Sequence, residues 1–145
     1  MKAIVRFSIC LLLLTISFGA PKALAVNKAL SLDGDGDYVR IGNDPFLAPD
    51  NLTVEAWFNP ADIRNCHIIS RYEDKGQSYE IYLPGDGTIV YQVIGPSGAG
   101  RFHAGRITTN QWQHVAVTYD RNIIKGYLNG DKVGEIGFSQ EINKP

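Results

Sequence analysis

The chain has 145 residues, of which 14 are basic and 15 acidic, and its net charge is −1. This length is enough for one domain with one hydrophobic core. The sequence contains no basic cluster that could neutralise phosphates. We therefore expect neither nucleic acid nor an anionic membrane surface as a partner.

The first 25 residues have the order of a cleaved secretory signal. Lys2 and Arg6 give a positive start, an apolar run covers residues 7–18, and Ala23-Leu24-Ala25 offers small residues to a signal peptidase. A membrane span needs about 20 apolar residues, and this run is shorter. The alternative, a buried N-terminal helix, does not explain why the three parts follow this order. We predict a signal peptide over residues 1–25 and no membrane span.

Export leaves a mature domain of residues 26–145, which carries 11 basic and 15 acidic side chains. The predicted location is secreted, at the cell surface or in the periplasm. Cys66 is then the remaining cysteine, so an intramolecular disulfide is excluded, and we expect its side chain to be buried.

After the signal, the dominant pattern is the two-residue alternation of β-strands, separated by turn clusters such as Asn129-Gly130. No segment has a sustained helical period. Ten strands are predicted, over residues 29–32, 38–41, 52–59, 66–72, 78–83, 88–94, 101–106, 112–119, 123–128 and 132–136. Short strands at this spacing predict an all-β fold, an antiparallel β-sandwich or barrel.

The alternation also assigns faces. Val54 and its alternate neighbours share one face of their strand, whereas Glu55 and Trp57 share the other. Two interpretations follow: this second face is the partly covered floor of a groove, or Trp57 packs under a loop and Glu55 pairs with a basic residue. We expect Trp57 and Trp112 to be largely buried and to contribute to the core.

Six segments in order make the chain similar to a known family. They are Ala29-Leu30-Ser31-Leu32-Asp33-Gly34, Leu52-Thr53-Val54-Glu55-Ala56-Trp57-Phe58, Ile68-Ile69-Ser70-Arg71, Tyr79-Glu80-Ile81-Tyr82-Leu83, Trp112-Gln113-His114-Val115-Ala116-Val117-Thr118-Tyr119-Asp120 and Gly126-Tyr127-Leu128-Asn129-Gly130. The sequence resembles the laminin G-like jelly-roll domains of the concanavalin A-like lectin/glucanase superfamily. This resemblance implies a concanavalin A-like jelly roll.

The sequence departs from this family at its C-terminal end. Family members close with a further glycine-rich strand and a last strand, whereas this chain ends at Pro145. The resemblance therefore implies a jelly roll that is incomplete at the C-terminus. We expect an unpaired sheet edge and self-association through it.

The superfamily includes glucan hydrolases, so catalysis has to be weighed. Retaining glycosidases need two carboxyl groups about 5–5.5 Å apart. Glu73 and Asp74 are adjacent and point to opposite faces, and Glu55 and Glu80 each stand alone in a strand. The three histidines lack the spacing of a zinc site. We predict that the protein is not an enzyme.

The densest carboxylate run is Asp33-Gly34-Asp35-Gly36-Asp37, and it is the candidate metal site. Asp33, Asp35 and Asp37 alternate as the first ligands of an EF-hand loop do, but Tyr38 stands where that loop needs glycine. Calcium is therefore a candidate cofactor of a looser loop. The alternative is a turn whose Asp and Gly residues serve backbone geometry.

The resemblance implies a non-catalytic recognition or adhesion module for glycan or extracellular protein. Exposed aromatic rings would stack on sugars, while Asp, Asn and Arg side chains hold the hydroxyl groups. The alternatives are a structural module or remnant without a ligand, and a glucanase-type hydrolase. The sequence does not identify the ligand-binding residues.

The signal gives the first testable prediction. We expect cleavage between Ala25 and Val26, because the small residues at positions 23 and 25 fit the peptidase. N-terminal sequencing of exported protein should begin at Val26-Asn27. A retained Met1 or an intact membrane-bound form would contradict the prediction.

Overall fold

The computed structural model describes residues 28–42, 44–73 and 76–144. The predicted signal peptide lies outside these ranges, and its cleavage stays a prediction. The chain divides after Arg40 into two units, each described below by itself. Within the described ranges, no helix has the length and apolar character required to cross a membrane.

The unit that begins at Ile41 is a sandwich of two antiparallel four-stranded sheets, as the sequence predicts. Its strands are β1 (Leu52–Phe58), β2 (Asn65–Glu73), β3 (Gly76–Pro84), β4 (Thr88–Gly95), β5 (Gly98–Arg106), β6 (Gln113–Tyr119), β7 (Ile123–Leu128) and β8 (Asp131–Gly137). Sheet A has the order β1-β6-β7-β8, and sheet B has the order β2-β3-β4-β5. A single turn of 3-10 helix, Pro45–Leu47, precedes β1.

Alternation along each strand decides which side chains enter the core. In sheet A, Val54 of β1 lies opposite Val117 of β6, and both belong to the core or pack against it. The neighbouring pair, Glu55 and Ala116, points to the other side. The same alternation in β3 turns Ile81 inward and Glu80 outward. The predicted face assignment of β1 is therefore confirmed.

Turns join most of these strands without long connections. The β7–β8 hairpin has Asn129 and Gly130 at its tip, with φ values of 54° and 90°. Two consecutive positive φ values are typical of a type I′ turn, whose twist matches that of the flanking strands and whose preferred sequence is Asn-Gly. The Asn129 side chain also accepts a hydrogen bond from the backbone N–H of His114, at 2.9 Å.

Tyr91 of β4 links the two sheets through the core. Its side chain is fully buried and stacks on Phe102, with ring centroids 5.2 Å apart. Its hydroxyl donates to the backbone carbonyl of Tyr127 in sheet A, at 3.0 Å. Burial raises the pKa of the Tyr91 hydroxyl well above its ordinary value, so this group stays a donor.

The segment after β8 packs against the sandwich. Ile142 is buried in the core, and the Asn143 backbone N–H donates to the carbonyl of Ile94, at 2.7 Å. The Tyr119 hydroxyl donates to the carbonyl of Phe138, at 3.0 Å. The predicted incompleteness at the C-terminus and self-association through an open edge stay predictions.

The first two predicted strands, residues 29–32 and 38–41, are wrong. Residues 28–42 contain no strand, and every side chain among them is exposed, including Leu30 and Tyr38. Alternation indicates that a segment could cover an apolar face, but a strand also needs a neighbour that takes its hydrogen bonds. No described strand pairs with these residues.

Close packing between the sheets predicts the effect of adding one methyl group. A Cβ at Gly126 would lie 2.8 Å from ring atoms of Tyr91. Because a packed core resists added volume, Gly126→Ala should lower the free energy of unfolding by roughly 1–3 kcal/mol in urea melts. At Gly137 an added Cβ meets nothing within 4 Å, so Gly137→Ala is the matched control. Equal free energies of unfolding for Gly126→Ala and Gly137→Ala would contradict the close contact of Gly126 with Tyr91.

Candidate functional site

The outer face of sheet A carries an exposed aromatic cluster, formed by Glu55, Trp57 and His114 and called here the Trp57 cluster. Trp57 of β1 lies directly opposite His114 of β6. Their ring centroids are 5.1 Å apart, with the planes tilted by 45°. His114 Nε2 lies 3.5 Å from Glu55 Oε2. The cluster therefore places an indole face, an imidazole and a carboxylate side by side.

The expected burial of the two tryptophans is wrong. Trp57 is 67% exposed and Trp112 is 55% exposed. Of the two interpretations of the Trp57 face, the structure supports an exposed surface, because Glu55 lies next to His114 and not beside a basic side chain from a covering loop. Among the described residues, the largest fully buried side chains include Tyr91 and Tyr119 instead.

Small and polar side chains continue the outer face of sheet A beside the cluster. Ala116 of β6 is opposite Tyr127 of β7, and Thr118 is opposite Lys125. Ala116 is buried although it points outward, because its larger neighbours shield its short side chain. On this face Ala116 therefore lies between Glu55 of β1 and Tyr127 of β7, next to the Trp57–His114 pair along the strands.

The outer face of sheet B carries a buried carboxylate. Glu80 of β3 is 4% exposed, and both its oxygens have partners on neighbouring strands. Glu80 Oε2 lies 2.9 Å from His67 Nε2 on β2, and Glu80 Oε1 accepts from Gln92 Nε2 on β4, at 2.6 Å. Tyr82 packs beside the imidazole, with ring centroids 5.4 Å apart. This network fixes three polar side chains across the middle of the sheet.

Sequence reasoning missed this network because it treated Glu80 as an isolated glutamate. The signal in the sequence was the alternation of Ser78, Glu80 and Tyr82 with the apolar residues between them. Such alternation gives a strand one polar face, but it does not say which neighbouring strands bring His67 and Gln92 to that face.

The proposed calcium loop lies in the other unit of the chain. Asp33, Asp35 and Asp37 are exposed. The Asp35 N–H donates to Asp33 Oδ1 at 2.8 Å, and the Asp33 N–H donates to Asp37 Oδ2 at 3.2 Å. Two of the carboxylates thus support the turn. The described residues contain no group of three His, Cys, Asp or Glu side chains positioned to hold a metal ion. Calcium binding stays a prediction.

Cys66 packs against the core from β2 and is partly buried. Burial raises the pKa of its thiol above the ordinary value.

The fold is a sandwich of two antiparallel four-stranded sheets, and family comparison agrees with it. The family model for the concanavalin A-like lectin/glucanases superfamily, of the laminin G type, matches residues 33–145. The chain belongs to this family. No curated protein is significantly similar to it in sequence.

Two solved structures each match part of this chain. The native heptameric SAP-like pentraxin from Limulus polyphemus is 20% identical, with a TM-score of 0.50 over 65% of this chain and 48% of the pentraxin. A family 18 polysaccharide lyase, aly-SJ02, is 16% identical, with a TM-score of 0.41 over 62% of this chain and 48% of the lyase. The chain spans about half the length of these structures.

The exposure of the tryptophans gives a stability prediction. Trp57→Ala and Trp112→Ala should each change the free energy of unfolding by less than about 1 kcal/mol, because exposed side chains contribute little to the core. Tyr91→Ala, which opens a buried site, should cost about 3–5 kcal/mol. Urea melts followed by circular dichroism measure all three. A cost at Trp57 as large as that at Tyr91 would contradict the exposed position.

Proposed function

We propose that the chain is an exported, non-catalytic recognition module that binds glycan through the Trp57 cluster. The observation that supports this proposal is the 67% exposure of an indole that a neighbouring ring holds in place. Exposing a large aromatic ring has no benefit for folding, and such rings are typical of recognition surfaces.

The chemistry of the cluster suits a sugar. The face of an indole packs against the C–H groups of a pyranose, while carboxylate and imidazole exchange hydrogen bonds with its hydroxyl groups. Glu55 supplies acceptors and His114 supplies a ring nitrogen within the reach of one sugar residue. His114 also restricts the motion of Trp57, which reduces the entropy lost on binding.

The proposal that the module is non-catalytic is supported by the partners of its carboxylates. A retaining glycosidase needs a second carboxyl group about 5–5.5 Å from the first. Glu55 lies beside an imidazole, and Glu80 lies between an imidazole and an amide. Neither of these described pairs supplies a nucleophile and a separate acid.

Export and calcium binding complete the proposal. Export is supported by the signal order in residues 1–25. Calcium at Asp33, Asp35 and Asp37 is supported by their alternation and exposure. Binding of a neutral glycan at the Trp57 cluster does not depend on that loop, so chelation should leave it unchanged.

A glycan-array screen tests the function directly. The native protein should bind a defined set of glycans, and Trp57→Ala should weaken that binding at least about tenfold, since aromatic anchors dominate such sites. Tyr72→Ala is the matched control, because Tyr72 is equally exposed but lies on β2 of the other sheet.

Three results would contradict the proposal. One is that the native protein binds no glycan on the array. Another is that Tyr72→Ala weakens binding as much as Trp57→Ala does. The third is release of reducing sugar from a bound glycan, which would show catalysis.

A further inference from the structure

We infer that the outer face of sheet B is a second binding site, which takes an anionic group of a saccharide, a carboxylate or a sulfate ester, at Arg101. The inference rests on the proposed function only in naming a saccharide as the carrier of the anion. Its location, its residues and its charge preference are independent of the Trp57 cluster.

Strand register brings the polar side chains of this face into a row. Ser70 of β2 lies opposite Glu80 of β3, Glu80 opposite Gln92 of β4, and Gln92 opposite Arg101 of β5. A second row has His67 opposite Tyr82, and Val90 opposite His103. Polar groups therefore cross all four strands, with Arg101 and His103 on the edge strand β5.

Arg101 is a cation without a counterion in the described part of the chain. It is exposed and makes no hydrogen bond or ion pair there. Four other exposed cations of the sandwich have acidic partners: Arg64 with Asp62, Arg121 with Glu141, Lys132 with Glu135 and Lys144 with Asp50. Arg106, which is also exposed, donates to the backbone carbonyl of Asp86. An arginine left unpaired beside a fixed polar network is available to an external anion.

The nearby carboxylate does not cancel this charge. Glu80 is buried, and its two oxygens already face His67 and Gln92. Two strand spacings separate Glu80 from Arg101, about 10 Å, which is close to the Debye length at physiological salt. Glu80 is thus no direct counterion of Arg101, and its oxygens position the imidazole and the amide.

The side chains around Arg101 indicate which kind of ligand this face would bind. A guanidinium binds a carboxylate or a sulfate through two parallel hydrogen bonds. His103 follows two residues later on the same face, about 7 Å along the strand, and also has no partner among the described residues. Tyr82 and His67, which are not buried, then offer phenol and imidazole groups that suit sugar hydroxyls better than a second charge, while the buried Gln92 amide stays on Glu80.

Isothermal titration of the purified protein with two matched pairs of oligosaccharides tests the inference. One pair is an oligogalacturonate and its methyl ester; the other is a sulfated galactan fragment and its desulfated form. The charged member of at least one pair should bind about tenfold more tightly than its neutral partner. The pair that shows this difference tells whether carboxylate or sulfate is the source.

Arg101→Gln should remove the preference for the charged member, and Arg101→Lys should retain only part of it, because lysine keeps the charge but loses the two parallel bonds. Arg121→Gln is the control, since Arg121 is an exposed arginine already paired with Glu141. Trp57→Ala should leave the preference for the charged member unchanged, so a failure of the proposed function at the Trp57 cluster would be seen separately.

The inference would be overturned if charged and neutral members bound equally in both pairs. It would also be overturned if Arg121→Gln removed the preference, or if polyglutamate bound as tightly as the preferred saccharide. The last result would identify an acidic protein segment as the ligand instead.

Discussion

The contact of Tyr91 with the opposite sheet is the interaction on which the rest of the structure depends. Its ring stacks on Phe102 within sheet B and lies against Gly126 of sheet A, where any side chain larger than hydrogen would collide with it. Its hydroxyl donates to the carbonyl of Tyr127. One side chain thus sets the separation of the sheets and their position along each other.

The inward position of Tyr91 also determines which side chains lie on the outer faces of the two sheets. Because side chains alternate along a strand, turning Tyr91 inward turns Gln92 outward, where it meets Glu80. On β7 the glycine under the Tyr91 ring is followed by Tyr127, which points away from the core beside Ala116. The two faces differ in chemistry: aromatic rings dominate on sheet A, whereas a charged and polar row crosses sheet B.

Local patterns predicted most of the sandwich because they depend on neighbours in the sequence. Alternation in β1 predicted the inward and outward side chains correctly, and Asn129-Gly130 marked a hairpin that the structure contains. The resemblance to laminin G-like domains identified the fold that the family model confirms.

The predictions that were wrong, and the network that was missed, depend on pairing between strands that lie far apart in the sequence. Alternation in residues 29–32 and 38–41 could not show that no described strand pairs with them. The exposure of Trp57 follows from its position opposite His114 on the outer face, which the composition of the strand does not reveal. The Glu80 network joins three strands, so its members become neighbours only through the register of the sheet.

Binding of a saccharide at Trp57, on the outer face of sheet A, can be followed at the level of single residues by nuclear magnetic resonance. The chain has two tryptophans, so a neutral oligosaccharide selected on the array would be titrated into labelled protein while their two indole N–H signals are followed. If the saccharide binds at the Trp57 cluster, the signals of the Trp57 indole and of the Glu55 and His114 amides should shift and saturate. Saturable binding that leaves these three signals unshifted, and shifts the signals of residues elsewhere, would contradict binding at the Trp57 cluster.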